Sequence, residues 1–379
     1  MRLALVLAGR YPDLRGSQVL VQQLADGIRG RGHAVHLVTY GAVASGRPGP
    51  RAGRIVRDLG LVARLWRTVR REAIDLIHAH NYEAAIASLV VGRATGRPVV
   101  YHGHNALAEE LPLYFRARLA RALAHRLGRL LDAHVPRRAD FCIAVTEELG
   151  EILRRRGVAA RDLTCIAPAA APRDAAAHRP RVGEEALVCY AGNLDGYQNL
   201  GFLLRSFARV RARVPAARLV LVTHAAPGAL RRAVGPGVEI VRAVSYDEVR
   251  ARLDAADVAV SPRAERCGFP MKLLNYMAAG KAIVASAGSA KGLRDGVTGR
   301  IVPDGDEAAF AAAVIELLSD AAACARLGAA ARHAVEDPGA WDGVLDRIET
   351  VYRNVLAARS AASTDPEASA PDGLGVAAE

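Results

Sequence analysis

The sequence alternates short apolar runs with longer amphipathic segments along almost its whole length. The short runs are typical of buried β-strands, and the segments between them carry apolar residues at helical spacing. Strands that are joined through helices run parallel, because each helix carries the chain back to the edge where the next strand begins. The pattern therefore predicts an α/β fold built on doubly wound parallel sheets.

The alternation is interrupted once and then begins again. A stretch rich in Ala, Pro and charge at 167–185 separates the two halves, and 379 residues are too many for one typical core. We predict a first domain over 1–168, a linker over 169–185 and a second domain over 186–338. A helix over 339–357 is expected to pack back toward the first domain, and 358–379 to form a disordered tail.

The apolar runs give the positions of the strands. The predicted strands are 3–8, 34–39, 76–78, 99–101 and 141–145 in the first half, and 187–191, 219–223, 238–241, 258–261, 282–285 and 300–302 in the second. Predicted helices include 17–29, 83–92, 200–214, 247–255, 271–279 and 306–318. Since doubly wound sheets bind ligands beyond the carboxyl ends of their strands, we expect a site in the cleft between the domains.

The composition narrows the class of partner. A net charge of +12 favours an anionic partner, but aromatic residues make up only 5% and do not interleave with basic residues, which argues against nucleic acid. Five scattered cysteines without a CxxC pair are typical of free thiols in a reducing cytosol. No apolar run reaches membrane-spanning length, and the run at 3–8 is interpreted as a strand rather than a signal peptide. We therefore expect a cytoplasmic protein.

Two histidine pairs stand where predicted strands end: His78 with His80, and His102 with His104. Residues two apart on a strand share a face, so each pair can point into the cleft together. The pairs suit a metal site, a hydrogen-bonding or general-base role for one imidazole, or structural histidines with satisfied hydrogen bonds. Since no cluster of Asp or Glu accompanies them, we expect no metal. Asn81 follows at a predicted helix start, where Asn is a good cap.

The segment CGFPMKLLNYMAAGKAIVAS at 267–286 carries the strongest chemical signal. Lysine occurs at three positions only, Lys272, Lys281 and Lys291, although Lys and Arg together number 51. A compact ammonium suits phosphate, and a turn running into a helix N-terminus is an anion site. We expect phosphates to be held by the N–H groups of Phe269–Met271 with Lys272 or Lys291, and a ribose hydroxyl by Asn275. Gly16, between the first strand and helix, would allow close backbone approach.

The stretch 111–131 contains no acidic residue. Helical spacing puts its leucines on one face and a basic set on the opposite face. The leucine set is Leu119, Leu123, Leu127, Leu130 and Leu131, and the basic set is Arg118, Arg121, His125 and Arg129. The segment is therefore either a helix that faces the core with a solvated basic side, or a docking surface over 113–138 for anionic lipid headgroups.

Several of these motifs together resemble family 4 of the retaining glycosyltransferases. The resemblance spans about residues 1–357 and is carried by the following segments: GSQVLVQQLADGIRGRGHAVHLVTY at 16–40, IDLIHAHNYEA at 74–84, VVYHGHN at 99–105, YAGNLDGYQNL at 190–200, ERCGFPMKLLNYMAAGKAIVAS at 265–286 and GVTGRIVPDGD at 296–306. The resemblance implies the GT-B architecture, in which two Rossmann-like domains face each other across a cleft. It also implies a nucleotide-sugar donor as substrate, with no cofactor and no metal.

The resemblance also assigns roles to single positions. Cys267 and Asn275 stand where the family usually carries two acidic residues, and Asn193 and Gln198 stand where an Arg and a Lys usually clamp the donor diphosphate. The family histidine that contacts the donor maps onto His104, with His102 beside it, and these two are the candidate catalytic residues. The expected donor site comprises Gly16, Asn193, Gln198, Cys267, Gly268, Phe269, Pro270, Met271, Lys272, Asn275 and Lys291.

The function implied is transfer of a sugar, with retention, to a glycan or lipid-linked acceptor in cell-envelope polysaccharide or glycolipid assembly. The protein would work in the cytoplasm, peripherally at the inner face of the cytoplasmic membrane. Because the usual clamp residues are replaced, two alternatives stay open: a non-catalytic partner that binds a sugar nucleotide, and a sugar-nucleotide epimerase.

Overall fold

The computed structural model describes residues 1–11, 16–41, 52–115, 117–170, 186–224, 228–264, 268–336 and 338–364. They form two six-stranded sheets, and every strand pairing within the sheets is parallel. The doubly wound α/β fold predicted from the apolar runs is therefore confirmed. We call each sheet, with the helices that connect its strands, the first and the second domain.

The first sheet has the strand order β2-β1-β3-β4-β5-β6. Its strands are β1 (Arg2–Leu7), β2 (Ala34–Val38), β3 (Leu76–His80), β4 (Val99–Gly103), β5 (Phe141–Ala144) and β6 (Leu163–Cys165). Its helices are α1 (Gly16–Gly30), α2 (Ala52–Arg71), α3 (Asn81–Thr95), α4 (Leu107–Glu110), α5 (Arg118–His134) and α6 (Glu147–Arg155). The order of the strands reverses at β1, next to β3, and a ligand crevice is expected at that point.

The second sheet has the order β12-β11-β10-β7-β8-β9. Its strands are β7 (Ala186–Ala191), β8 (Ala217–Thr223), β9 (Val238–Arg242), β10 (Val258–Ser261), β11 (Ala282–Ser286) and β12 (Arg300–Val302). The helices are α7 (Leu200–Arg213), α8 (Tyr246–Asp254), α9 (Met271–Ala278), α10 (Glu307–Ser319), α11 (Ala321–His333) and α12 (Pro338–Thr364). Here the order reverses between β7 and β10, so this sheet has its own crevice there.

The last helix, α12, leaves the second domain and packs against the first. Trp341, Leu345, Ile348 and Tyr352 share a buried cluster with Leu3 of β1 and with residues of α1. The helix continues to Thr364, so residues 358–364 are helical rather than part of the predicted tail. Ala, which occurs three times in this stretch, is the best helix former. The predicted domain limits at 168, 185 and 338 stay a prediction, and residues 171–185 and 365–379 lie outside the described part.

Helix α5 packs through small residues rather than through its leucines. Ala124, Gly128 and Asp132 are buried, and a Cβ atom at Gly128 would lie 2.5 Å from the Cα atom of Ala108 in α4. Only a glycine permits this approach of the two helices. The leucines at 119, 123, 127 and 130 are exposed, so the first of the two interpretations of this segment, a helix whose leucines face the core, is wrong. Their spacing is helical, but the close contact with α4 is made by the neighbouring face.

Asp132 fixes the same contact through hydrogen bonds. Its Oδ1 accepts from the phenol of Tyr82 at 2.6 Å and from the N–H of Leu107 at 2.8 Å, and its Oδ2 accepts from the N–H of Ala108 at 3.1 Å. The side chain has no exposed surface. The carboxylate therefore caps α4 and joins it to both α3 and α5.

No single helix in the described ranges is both long and apolar enough to cross a membrane. The pair α10 and α11 passes the same length and composition test together, with a bend of 104° between the two helices.

Candidate active site

A cavity of about 1370 Å³ lies between the domains, at the carboxyl ends of strands from both sheets. Its lining includes residues at or just beyond the carboxyl ends of the strands: 7–10 at β1, 80–83 at β3, 104–105 at β4, 191–193 at β7, 222–224 at β8, and Arg263 at β10. Both crevices of the two sheets therefore open into one space, as expected for ligands of doubly wound sheets. Its size is sufficient for a large, elongated substrate.

Lys272 lies on the second-domain wall of this cavity, in the first turn of α9. Its Nζ donates to Oε1 of Gln198 at 2.5 Å and to the phenol of Tyr190 at 3.2 Å, and it stands 4.4 Å from the centre of the Tyr190 ring. Burial, followed by the positive charge of Arg263, holds the pKa of Lys272 well below its usual range. The ammonium is therefore held by neutral groups, and an anion placed beside it would be strongly favoured.

Arg263 brings a second cation to the same wall, and sequence analysis missed it. Its guanidinium carbon lies 5.2 Å from the centre of the Tyr197 ring, which is a cation–π distance. Asn193 supports this ring, since its Nδ2 donates to the Tyr197 phenol at 2.9 Å. Arginine is so frequent in this chain that the residue type does not distinguish Arg263. The one available signal is its position two residues after the end of β10.

The loop that begins at Gly268 crosses from the second domain to the first. Gly268 has φ +70°, and a Cβ atom there would lie 1.8 Å from Oδ1 of Asn105, so only glycine fits. Phe269 packs against the core of the first domain, and Met271 approaches Gly16 at the start of α1. The two domains are therefore in contact around this loop. Cys267, predicted to belong to the site, lies outside the described residues.

The backbone of this loop offers fewer donors than predicted. Pro270 has no N–H, and the N–H of Met271 donates to the carbonyl of Phe269 at 3.0 Å. Of the three positions expected to bind phosphate through the backbone, only the N–H of Phe269 therefore remains as a candidate. The prediction of a binding site made by all three N–H groups is wrong in this geometry.

The remaining predicted donor residues are divided between two places. Asn275 lines the cavity one turn beyond Lys272, and its Oδ1 accepts from the phenol of Tyr246 at 2.8 Å. Lys291 lies outside the cavity lining and forms a 2.9 Å ion pair with Glu148 of α6, which joins the two domains. Lys281 is buried and donates to the carbonyls of Asp254 and Ala256, at the end of α8. Of the three lysines, only Lys272 therefore lines the cavity.

The four predicted histidines form one group beneath α12, in which His78, His80 and His102 are buried and His104 is partly exposed. His78 bonds the phenol of Tyr352 at 2.6 Å and His102 at 3.1 Å, and His80 bonds His104 at 3.1 Å. His80 and His104 line the cavity. His102, although predicted as a catalytic residue together with His104, is buried behind them and does not line the cavity. His80, rather than Asn81, is the residue that precedes α3, and it makes no side-chain cap; Asn81 has φ +68°.

A metal ion would find ligands only at this group among the described residues. His78, His80 and His102 each offer one ring nitrogen, and these atoms lie within 4.8 Å of one another. The ring nitrogens of His78 are already engaged by Tyr352 and His102, whereas Nε2 of His80 and Nε2 of His102 have no hydrogen-bond partner in the described structure. Lys272 and Arg263, which are not in this group, line the cavity itself.

The histidine group should make the protein sensitive to mild acid. Burial lowers the pKa of His78 to about 3 and that of His104 to about 4, while an unfolded histidine has a pKa of about 6.5. Below pH 6.5 the unfolded chain therefore binds more protons than the folded protein. The stability is fully present above this pH and is lost as the pH falls toward 4. We expect a loss of about 1.4 kcal/mol per pH unit and per histidine in this window.

Urea unfolding at pH 7, 6 and 5 measures this loss. Carboxylates with ordinary pKa values contribute little above pH 5, so the histidines dominate the change. His102→Gln should flatten the dependence, whereas His134→Gln, which changes an exposed histidine at the end of α5, should not. Equal stability of the wild type at pH 7 and pH 5 would contradict the prediction.

A third set of polar groups, also missed from the sequence, forms the first-domain side of the cleft. Glu110 accepts from Nδ2 of Asn105 at 2.8 Å and from the phenol of Tyr114 at 2.7 Å. All three residues line the cavity. Asn105 directly follows His104, and Glu110 is an ordinary acidic residue in a short helix. Nothing in the sequence singles out either side chain.

Comparison with known proteins identifies this arrangement. Residues 14–173 match the family described as Glycosyltransferase Family 4, and residues 185–320 match Glycosyl transferases group 1. A phosphatidyl-myo-inositol mannosyltransferase of Mycobacterium leprae is 28% identical, with 95% of this chain and 98% of that protein covered. A glycogen synthase of Mycobacterium tuberculosis is 26% identical, with 84% and 77% covered.

Solved structures give the same fold. A sucrose-phosphate synthase from Thermosynechococcus elongatus superposes with a TM-score of 0.77 at 19% identity, covering 94% of this chain and 99% of that one. Anabaena Alr3699/HepE in complex with UDP and glucose superposes with a TM-score of 0.70 at 16% identity, covering 93% and 100%. The architecture is that of the GT-B glycosyltransferases. The chain belongs to glycosyltransferase family 4.

Proposed function

We propose that the protein transfers a sugar, with retention and without a metal, from a nucleotide-sugar donor to a lipid-linked or glycan acceptor in envelope assembly. The observation that carries the proposal is the position of Lys272. Its ammonium faces the interdomain cavity from the second domain and is hydrogen-bonded only to neutral groups. A group so placed favours an anionic ligand. The similarity to a phosphatidyl-myo-inositol mannosyltransferase supports a lipid-linked acceptor.

The proposed reaction is the one that the resemblance to retaining glycosyltransferases implies. The acceptor hydroxyl attacks the anomeric carbon from the face on which the bond to the diphosphate breaks, and the departing phosphate oxygen takes the hydroxyl proton. The diphosphate leaves with increased negative charge, which Lys272 and Arg263 are positioned to stabilise by preorganised charge. Lys272 replaces the clamp cations that Asn193 and Gln198 no longer provide, and Gln198 instead holds its ammonium in place.

Other cavity residues have complementary roles in the proposal. His104 hydrogen-bonds His80, which orients its ring toward the donor sugar. Asn275 is held by Tyr246 and is available for a ribose hydroxyl. Contact of the loop at Gly268 with Asn105 closes the cleft and limits hydrolysis of the donor by water.

A ligand screen followed by product analysis tests the function. Purified protein in EDTA is screened by thermal shift against nucleotide sugars and free nucleotides, since ligands raise apparent stability by mass action. The nucleotide sugar that binds is then incubated with and without lipid extract as acceptor, and the anomeric configuration of the product is read by NMR. An acceptor-dependent product with the donor's configuration, formed in EDTA, is expected.

Each other outcome rejects a particular part of the proposal. Conversion of the donor to another nucleotide sugar without acceptor indicates an epimerase. Binding without any turnover indicates a non-catalytic partner. Loss of turnover in EDTA, restored by a divalent cation, rejects metal independence, and an inverted product rejects retention.

Docking to the membrane is the second part of the proposal, and it concerns the basic segment 113–138. Arg118, Arg121 and Arg129 of α5 are exposed beside the exposed leucines of the same helix. An apolar strip flanked by arginines fits an anionic lipid surface, where each basic residue contributes roughly 1 kcal/mol. This surface would bring the cavity to the lipids that carry the acceptor.

Vesicle sedimentation measures this docking. The change of Arg118, Arg121 and Arg129 to Gln should weaken binding to vesicles containing anionic phosphatidylglycerol by about 100-fold at low salt. A matched control changes the exposed Arg213, Arg231 and Arg232 of the second domain, with the same loss of charge. Equal binding by the two triple variants would reject docking through α5.

A further inference from the structure

We propose that the first-domain wall of the cavity is a groove that holds the hydrocarbon chain of the acceptor. The inference rests on the proposed transfer to a lipid-linked acceptor and names the part of the molecule that binds that lipid. It goes beyond docking on a membrane surface, because the chain is placed inside the cavity and next to the reacting groups.

The groove is lined by apolar side chains from three helices. Ile55 of α2, Ile86 of α3, and Leu123 and Leu127 of α5 all line the cavity and are 43–63% exposed. The partly buried Leu107, Leu111, Phe115 and Leu131 line the same space. Large apolar side chains that remain accessible in one concave site mark a place where an apolar ligand is bound.

Only part of the exposed leucine strip of α5 belongs to the groove. Leu119 and Leu130 are exposed by 74% and 55%, but they are not among the residues that line the cavity. The same helix therefore presents two exposed leucines to the cavity, beside the partly buried Leu131, and two to the outer surface. An outer strip that merges with a cavity wall provides a path for a chain from a bilayer into the site.

Four of the polar groups that share this wall already bind one another. Arg54 forms an ion pair with Glu83 at 3.5 Å, and the phenol of Tyr40 donates to Asp58. These four residues also line the cavity. These four side chains already have partners within the wall. A hydrocarbon chain can therefore lie beside them without burying them in an unpaired state, which would be unfavourable.

The position of the groove identifies its occupant. It is continuous with His104, Asn105 and Lys272 within one cavity, so the molecule that fills it reaches the donor site. The donor binds against the second domain in the proposal, and the first-domain wall is left for the acceptor. A protein partner or a second copy of this chain would fit the outer surface of α5, but neither explains apolar residues that extend to the reacting groups.

Binding of n-alkyl phosphates of increasing length to the full chain tests the groove. Hexyl, octyl and decyl phosphate are titrated by calorimetry below their micellar concentrations, in the absence of donor. A chain that enters an apolar groove should bind about fourfold more tightly for each added methylene until the groove is filled. Affinity that is independent of chain length would overturn the proposal.

Two double variants on one helix provide the decisive comparison. Leu123→Gln with Leu127→Gln should reduce the gain to less than twofold per methylene, whereas Leu119→Gln with Leu130→Gln should leave it unchanged. All four side chains are exposed, so both variants should fold, which thermal melting checks. If the outer pair reduces the gain as much as the inner pair, the strip acts only as a flat docking surface for a membrane or a protein, and the groove is rejected.

The outcome is separable from the proposed transfer. Chain-length dependence is measured without donor or turnover, and the nucleotide-sugar screen is performed without lipid. A normal chain-length gain with no nucleotide-sugar binding would reject the proposed function and keep the groove. Donor binding and transfer with no chain-length gain would reject the groove alone.

Discussion

Lys272→Ala should weaken binding of the nucleotide-sugar donor by about 1.5–3 kcal/mol, or about 10- to 150-fold in Kd. Nζ of Lys272 donates hydrogen bonds to Gln198 and Tyr190, and neither of these side chains is a carboxylate that would neutralise the ammonium. A hydrogen bond between ions of opposite charge is stronger than a neutral one, and a bound diphosphate would provide that partner. Burial lowers the pKa of Lys272, and a bound diphosphate would raise this pKa again because an opposite charge favours the charged form.

Two other variants make this test specific. Lys291→Ala removes an equally rare lysine that pairs with Glu148 outside the cavity lining, and it should leave donor affinity within about twofold, as expected for a surface ion pair. Lys272→Arg should bind the donor little better than Lys272→Ala does, because a planar guanidinium does not fit a site that holds one compact ammonium. Calorimetric titration with the donor found by the screen gives the three affinities. Equal Kd values for wild type and Lys272→Ala would remove Lys272 from the donor site.

Asp132→Ala should destabilise the first domain by about 3–5 kcal/mol. The substitution removes a fully buried carboxylate and leaves three donors without a partner, namely the phenol of Tyr82 and the N–H groups of Leu107 and Ala108. Each buried donor left unsatisfied costs about 1–3 kcal/mol. We expect the loss of stability to be greatest where α3, α4 and α5 meet.

Urea unfolding followed by tryptophan fluorescence reports on this region. The only tryptophans are Trp66 in α2 and Trp341 in α12, and α12 packs against the first sheet, so the signal follows the first domain. Asp132→Asn keeps an oxygen acceptor of nearly the same shape and should cost about half as much or less. An unchanged urea midpoint for Asp132→Ala would show that the three hydrogen bonds do not contribute to stability.

The central strands could be predicted closely from the sequence because they are buried. A strand that is buried on both faces is a continuous apolar run in the sequence, which is easily recognised. The run at 258–261 is an example, and this strand is found at Val258–Ser261. β6 was missed since it is three residues long and includes Thr164. The turn into α9 was placed correctly because a proline precedes the helix.

The side of a helix that is buried was harder to predict. In α5 the leucine periodicity pointed to the core, but Ala124 and Gly128 make the close contact and Asp132 the hydrogen bonds. Small residues such as Ala and Gly contribute little to a hydrophobic pattern. An Asp is normally predicted to lie on the surface, and only its hydrogen-bond partners show that this one is buried. The roles of Arg263 and Glu110 likewise depend on residues far away in the chain, which no local pattern records.

The return of α12 to the first domain has a mechanical consequence. The chain passes between the domains twice, once between β6 and β7 and again between α11, which packs on the second domain, and α12. Two bodies joined at one point can rotate in any direction, whereas two bodies joined at two points rotate mainly about the line through both. Separation of Gly268 from Asn105 and of Lys291 from Glu148 should then occur as a single angular motion, and the same hinge axis would govern both donor entry and nucleotide release.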